Sequence, residues 1–204
     1  MIARRKTCLA TTALAPLATV AWLMLAPCLS VAASIGPIVQ SYEKLGQARG
    51  RMEIVRTDEQ GHEARSITEF DTFDRVHVRQ GNSEIIALPE GTWVRSGDGK
   101  WAKRDVDILG PFKRGMSAAE KALYSSTNLV DVGATTWQGK TAHAWSYDLD
   151  MTLGNLRSIT RNKVYLDAAG RARGFEIDGV MEGHKFRSVQ TFTYDDSVRV
   201  NAPN

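Results

Sequence analysis

Past residue 33 the chain has no cysteine: of 204 residues only Cys8 and Cys28 are of that type. The rest therefore offers no disulfide, no thiolate nucleophile and no cysteine metal site. Neither sign of charge is in excess there. Arg4, Arg5 and Lys6 are the only charged residues in 1–33, and taking those three from 26 Lys+Arg leaves 23 against 23 Asp+Glu. A neutral chain of this kind has no broad electrostatic grip on nucleic acid. Catalytic signatures are missing too. There is no G-x-S-x-G elbow, no phosphate-binding loop, no G-x-G-x-x-G opening a helix and no calcium loop. His62-Glu63 begins like a zinc-protease motif, but position 66 is serine. His77 and His143 read as strand residues. Asp105/Asp107 and Asp148/Asp150 each place two carboxylates on one strand face, which alternating charge on a wet face explains without catalysis. The expectation is a non-enzyme without cofactor or metal.

What is present begins with an N-terminal address. Met1-Ile2-Ala3-Arg4-Arg5-Lys6 precedes an apolar run from about Cys8 to Leu29, and Val31-Ala32-Ala33 fits a small-residue cleavage site before Ser34. A basic start, an apolar stretch and a small-residue exit read as a secretory signal peptide over 1–33, leaving 34–204 as a single exported, periplasmic domain. A retained anchor ranks second, since Pro16 and Pro27 interrupt the run. Lipidation at Cys28 is a minority alternative, because Pro27 fits a processing box poorly.

The pattern after residue 35 predicts one helix and then a long sheet. Pro37 suits a first helical turn, and Ile38, Val39, Tyr42 and Leu45 form one stripe over 36–47. From Arg49 the period changes to two. Turn signals at Gln60-Gly61, Gly81-Asn82, Asp98-Gly99, Gln138-Gly139, Gly154-Asn155, Ala169-Gly170 and Glu182-Gly183 separate the runs. Strands are expected at 49–58, 63–72, 74–80, 83–88, 91–96, 101–107, 130–137, 140–151, 157–167, 172–181 and 184–195, with a short extra one around Val198 and Val200. Leu109–Gly115 reads as a loop. Ser117-Ala118-Ala119-Glu120 has the form of a capping box, predicting a short helix over about 118–125. On the long strand, His143, Trp145, Tyr147, Leu149 and Met151 share a covered face, with Ala142, Ala144, Ser146, Asp148 and Asp150 on the wet one.

About eleven antiparallel strands with two short helices cannot make a two-sided α/β protein. The expected class is mainly β (α+β): a curled sheet forming an unclosed barrel or half-barrel, with the N-terminal and short central helices as cover. Such a sheet tends to leave an apolar hollow. The aromatics are its candidate lining, although core packing explains each of them too. Chosen by size and strand position, the candidate ligand-binding residues are Trp93, Trp101, Trp145, Tyr147, Phe186 and Phe192.

The order of elements resembles the LolA-like superfamily of periplasmic lipoprotein carriers and lipid-binding envelope lipoproteins. The likeness runs through the helix Ile38–Leu45 and the strand Gly50-Arg51-Met52-Glu53-Ile54. It continues in the Gly91–Trp101 hairpin and in Trp137-Gln138-Gly139-Lys140-Thr141-Ala142. It closes with Val164–Phe175 and the ending Val198-Arg199-Val200-Asn201-Ala202-Pro203. The resemblance implies an unclosed, helix-capped barrel holding a lipid or acyl chain. The function expected is a periplasmic binding or carrier protein for a hydrophobic ligand, acting as a monomer, with an envelope membrane protein as a further candidate partner and no nucleic acid. The alternative is an interaction or sensing module that pairs an exposed strand edge with a protein segment.

Overall fold

The computed structural model describes residues 34–203; the expected signal peptide and Cys28 lie outside the described residues. Helix α1 (Gly36–Gln47) is followed by β1 (Arg49–Asp58), β2 (Glu63–Asp71), β3 (Val76–Gln80), β4 (Ser83–Leu88), β5 (Gly91–Ser96) and β6 (Ala102–Arg104). Helix α2 (Leu109–Leu123) interrupts, and β7 (Thr127–Trp137), β8 (Lys140–Leu153), β9 (Leu156–Leu166), β10 (Ala172–Met181) and β11 (His184–Tyr194) complete the chain. The eleven strands form one antiparallel sheet in the order β6-β5-β4-β3-β2-β1-β11-β10-β9-β8-β7. It is two meanders joined where β1 pairs β11, from Gly50↔Tyr194 to Asp58↔Phe186. The ends β6 and β7 do not meet, so the curled sheet stays open.

The turns work as the glycines suggest. At Gln138-Gly139 and Glu182-Gly183 both residues have positive φ (48° and 75°, 51° and 84°), the conformation of the tight hairpin turn whose twist matches its strands. Gly50 is required for another reason: its φ is 152°, and a Cβ there would sit 2.1 Å from the Thr193 carbonyl oxygen.

Register parity assigns the faces. Met52, Thr68, Val78, Ile85 and Val94 follow one another across β1 to β5. In the other direction Ile54, Gln190, Phe175, Val164 and Trp145 do the same. This is the concave face, and it holds the main core. Ile38 and Leu45 of α1 pack there with Phe70, Val76, Ala87, Trp145, Tyr147, Val164, Leu166, Phe175 and Phe192. Ser41, fully buried in α1, is satisfied by donating to the Ile38 carbonyl at 2.7 Å.

The opposite, convex face has two smaller clusters. Trp137 lies against Tyr165 with ring centroids 4.3 Å apart, over Ala142 and Ala144. The side of β8 expected to be wet is therefore covered at its start. Ile86, Leu88 and Val200 form the second cluster, with Trp93, Trp101 and Val198 packed on it. Val198 and Val200 thus belong to no strand; the C-terminal segment crosses the convex face as a strap, pinned by Arg75 Nε donating to the Val200 carbonyl at 2.9 Å. Ion pairs cover the rest of this face, among them Arg65–Glu53 and Arg79–Glu69, each at 2.7 Å. Exposed pairs of this type contribute little individually.

The central helix departs most from expectation. Residues 109–115, read as a loop, form the first half of a 15-residue helix, and the helix ends at Leu123. Pro111 lies in its first turn, where a missing N–H costs nothing. The cap is Asp107, whose Oδ1 accepts from the Gly110 N–H at 2.7 Å, while Ser117 and Glu120 fall inside the helix. β6, expected over 101–107, is only three residues long. Asp107 is committed to that cap, and Thr92 Oγ1 holds the Val106 carbonyl at 2.8 Å.

Candidate functional site

Helix α2 carries one apolar stripe, Leu109, Phe112, Met116, Ala119 and Leu123, at the spacing of one helix face. Its two ends are seated: Leu109 is 9% exposed and Leu123 1%. Its middle is not packed down. Phe112, Met116 and Ala119 look instead into a hollow of about 420 Å³ between the helix and the concave sheet. An aromatic series holds the helix there. Phe112 stands edge-on to Phe73, with centroids 5.2 Å apart, and Phe73 to Phe70 at 6.0 Å. Lys113 adds an ion pair to Asp74.

The floor is supplied by β1, β11, β10, β9 and β8. One row across it runs Arg56, Ser188, Ile177, Asn162, Tyr147, and the next Ile54, Gln190, Phe175, Val164, Trp145. Met52, Leu149, Met151 and Phe186 widen the apolar lining, and Tyr42 with Leu45 closes the end under α1. Tyr42 is edge-on to Phe175, with centroids 5.6 Å apart. Burial pushes the Tyr42 phenol up, partly offset by its hydrogen bond to Tyr147, and pushes the Tyr147 phenol up further. Both stay neutral, so the closed end of the hollow carries no charge.

Polar groups interrupt the floor. Ser158, Thr160, Asn162, Ser188 and Gln190 all line the hollow. Asn162, 4% exposed, is committed: its Nδ2 donates to Thr160 Oγ1 at 2.9 Å. Ser158 and Ser188, 8% and 6% exposed, have hydroxyls with no hydrogen-bond partner among the described residues. Arg56 stands at the β1 margin, its guanidinium carbon 4.5 Å from the centre of the Phe186 ring.

Six residues were singled out from sequence, and the structure separates them. Phe186 and Phe192 line the hollow. Trp145 and Tyr147 share its face, but they are buried in the core beyond its end. Trp93 and Trp101 lie on the convex face, outside the hollow. Lys103 sits over Trp93 at 5.1 Å and Arg95 over Trp101 at 4.7 Å, so both rings are covered by cations. Alternation alone cannot say which face of a strand turns inward, and that is why these two were misplaced. Arg56, Phe112, Met116, Ile177 and Ser188 were missed. The signal for the three on strands was the hairpin register, which fixes parity from strand to strand; Phe112 and Met116 needed the Asp107 cap to be recognised.

Other surfaces offer less. A wider cleft of about 870 Å³ beside β5, β6 and the start of α2 is lined by both acids and bases, including Glu90, Lys103, Asp105 and Lys113. The sheet edges are poor templates for an added strand: β6 has three residues, and β7 is interrupted by two register shifts, irregularities that protect edges. Among the described residues no group of three or more His, Cys, Asp or Glu could hold a metal ion. Among them, too, no helix is long and apolar enough to cross a membrane.

No protein-family profile and no curated protein matches the sequence. Solved structures do. LprF from Mycobacterium bovis superposes with a TM-score of 0.54, covering 84% of this chain and 98% of its own at 10% identity. The Mycobacterium tuberculosis lipoprotein LppX gives 0.53, with 82% and 97% covered at 12% identity. A LolA superfamily protein from Nitrosomonas europaea covers 79% and 91% at 9% identity, with a TM-score of 0.31. The chain shares its fold with LprF and LppX. At these identities the likeness is one of architecture.

Proposed function

We propose that this chain is a non-enzymatic binding or carrier protein for a hydrophobic ligand, a lipid or acyl chain, held between the concave sheet and α2. The observation that carries the reading is the hollow itself. It is a partly open, mainly apolar space of about 420 Å³, within the range of ligand sites, beside a core of buried side chains. The fold shared with LprF and LppX supports it. Each methylene moved from water into such a space contributes about 0.8 kcal/mol, so affinity does not depend on a dense set of polar contacts. α2, seated at its ends and free of the sheet at its middle, is the cover through which a ligand enters. The basic and apolar start of the chain supports export to the periplasm with removal of 1–33, and the domain acts there as a monomer.

Native mass spectrometry on the full chain purified from its own cell envelope, followed by lipid extraction, tests this. A reproducible adduct of lipid mass is expected, lost in Ile177→Glu with the fold retained by circular dichroism. A clean unliganded mass, with no lipid taken up from liposomes, would refute it.

A further inference from the structure

The reading of the hollow as a ligand site leaves the head group open. We infer that its β1 margin is an anion site, so that the ligand is an amphiphile with a carboxylate or phosphate-ester head held by Arg56 and Ser188. This rests on the carrier reading and extends it.

Among the residues that line the hollow, Arg56 is the single charged one. Its charge is uncommitted. The neighbouring arginines on the sheet are paired, Arg49 with Asp71 at 2.5 Å and Arg65 with Glu53 at 2.7 Å. Arg56 has no carboxylate within ion-pair distance among the described residues. Asp58, two residues along on the same face, is turned into the β1–β2 turn. It accepts the N–H groups of Gln60 and His62 at 2.9 Å each, and its other oxygen meets His62 Nδ1 at 3.0 Å. What holds Arg56 in place is the Phe186 face, a cation–π contact at 4.5 Å that leaves the guanidinium donors free.

Ser188 is the second, independent observation. It is the cross-strand partner of Arg56, it is 6% exposed, and its hydroxyl faces the hollow without a protein partner. The hydroxyl is therefore available to a ligand that enters the hollow. Gln190, next along β11 on the same face, also has a side chain with no protein partner among the described residues. A free guanidinium fork beside two uncommitted hydrogen-bonding groups, at the lip of an apolar space, matches a planar or tetrahedral anion. A neutral head could hydrogen-bond these groups but would leave the Arg56 charge unmatched, and a cationic head would be repelled.

Isothermal titration calorimetry on the full chain at low salt tests this with three probes: dodecanoate, dodecanol and inorganic phosphate. Dodecanoate is expected to bind about tenfold more tightly than dodecanol, the size of one partly exposed charge-assisted contact. Arg56→Gln should abolish that preference, weakening dodecanoate far more than dodecanol, whereas Arg56→Lys should keep part of it. Ser188→Ala should narrow it with the same thermal midpoint as the parent. Equal binding of the two amphiphiles by the parent would overturn the anion site and leave the carrier reading standing. Binding of neither would overturn both. Phosphate that binds alone and displaces dodecanoate would assign the site to a free anion and overturn the head-group role.

Discussion

Chain length gives the most direct quantitative check on the hollow. Its floor crosses five strands, from β1 to β8, so it spans four interstrand spacings of ~4.8 Å, roughly 19 Å. An extended alkyl chain advances about 1.25 Å per carbon, the projection of a bond of ~1.52 Å. Roughly fifteen carbons therefore reach from Arg56 on one side to Leu149 on the other. Within that length each added methylene should strengthen binding by about 0.8 kcal/mol, close to a factor of four in Kd. Beyond it, further carbons meet solvent or the packed Tyr147–Trp145 end and add little. Calorimetric titration of the full chain with saturated carboxylates from eight to twenty carbons, each below its micelle concentration, should give a steep line that breaks near fourteen to sixteen. A flat series from the start would show that tails do not enter the hollow. A line that continues unbroken to twenty carbons would show that the tail is not confined by it. Either result refutes the reasoning.

Two further predictions concern the frame around the site. In Gly174→Ala the new Cβ would lie 2.3–2.6 Å from three atoms of the Trp137 indole. The ring must leave its stack on Tyr165, at a cost of about 1–3 kcal/mol and a fall of about 3–10 °C in thermal midpoint; an unchanged midpoint and unchanged tryptophan fluorescence would contradict the packing. Asp167, in the β9–β10 turn, accepts the N–H groups of Ala169 and Arg171 at 2.9 Å each and Arg171 Nε at 3.0 Å. Burial pushes its carboxyl up, but the bonds from Arg171 outweigh this and hold it below the ordinary value. A depressed folded-state pKa means that its stabilisation is complete above the unfolded value of ~3.9 and is lost as pH falls through the lower folded one. The acid limb of a denaturation profile should therefore be shallower in Asp167→Asn than in the parent, and coincident limbs would rule the contribution out.

The strands were legible because hairpin chemistry is local. Gly61, Gly81, Gly139, Gly154, Gly170 and Gly183 all take the positive φ that their positions suggested, and between them period-two alternation has few competing readings. Sidedness was not legible in the same way. Trp93 and Trp145 look alike in sequence, each a tryptophan on an alternating strand, yet one packs outside the curl and the other inside it. Only the register chain from β1 outward separates them. Helix α2 was obscured by composition. Gly110, Pro111 and Gly115 read as loop, while its stability comes from burying Leu109 and Leu123 at its ends, a tertiary effect that overrides weak helix propensity. The residues of the hollow followed from neither pattern, because a serine or asparagine on a covered strand face reads as an interruption until the space above it is seen.

Those interruptions bear on what the concave face is for. Ser158, Ser188 and Gln190 occupy positions where alternation would place hydrophobes, and where a leucine or valine would let α2 settle onto the sheet. Polar groups in such positions lower stability unless they are bonded, and the chain leaves several of them without a protein partner. The same chain buries Ser41 with its hydroxyl satisfied and spends ion pairs freely across the convex face. Uncommitted hydroxyl and amide groups line one floor, under a helix held only at its ends and beside the one unpaired cation of the lining. Stability given up in one place is the ordinary mark of a site that binds something else. The α1 end of the sheet, with Ile38, Phe70 and Tyr147 almost wholly buried, keeps the fold intact while the other end stays open.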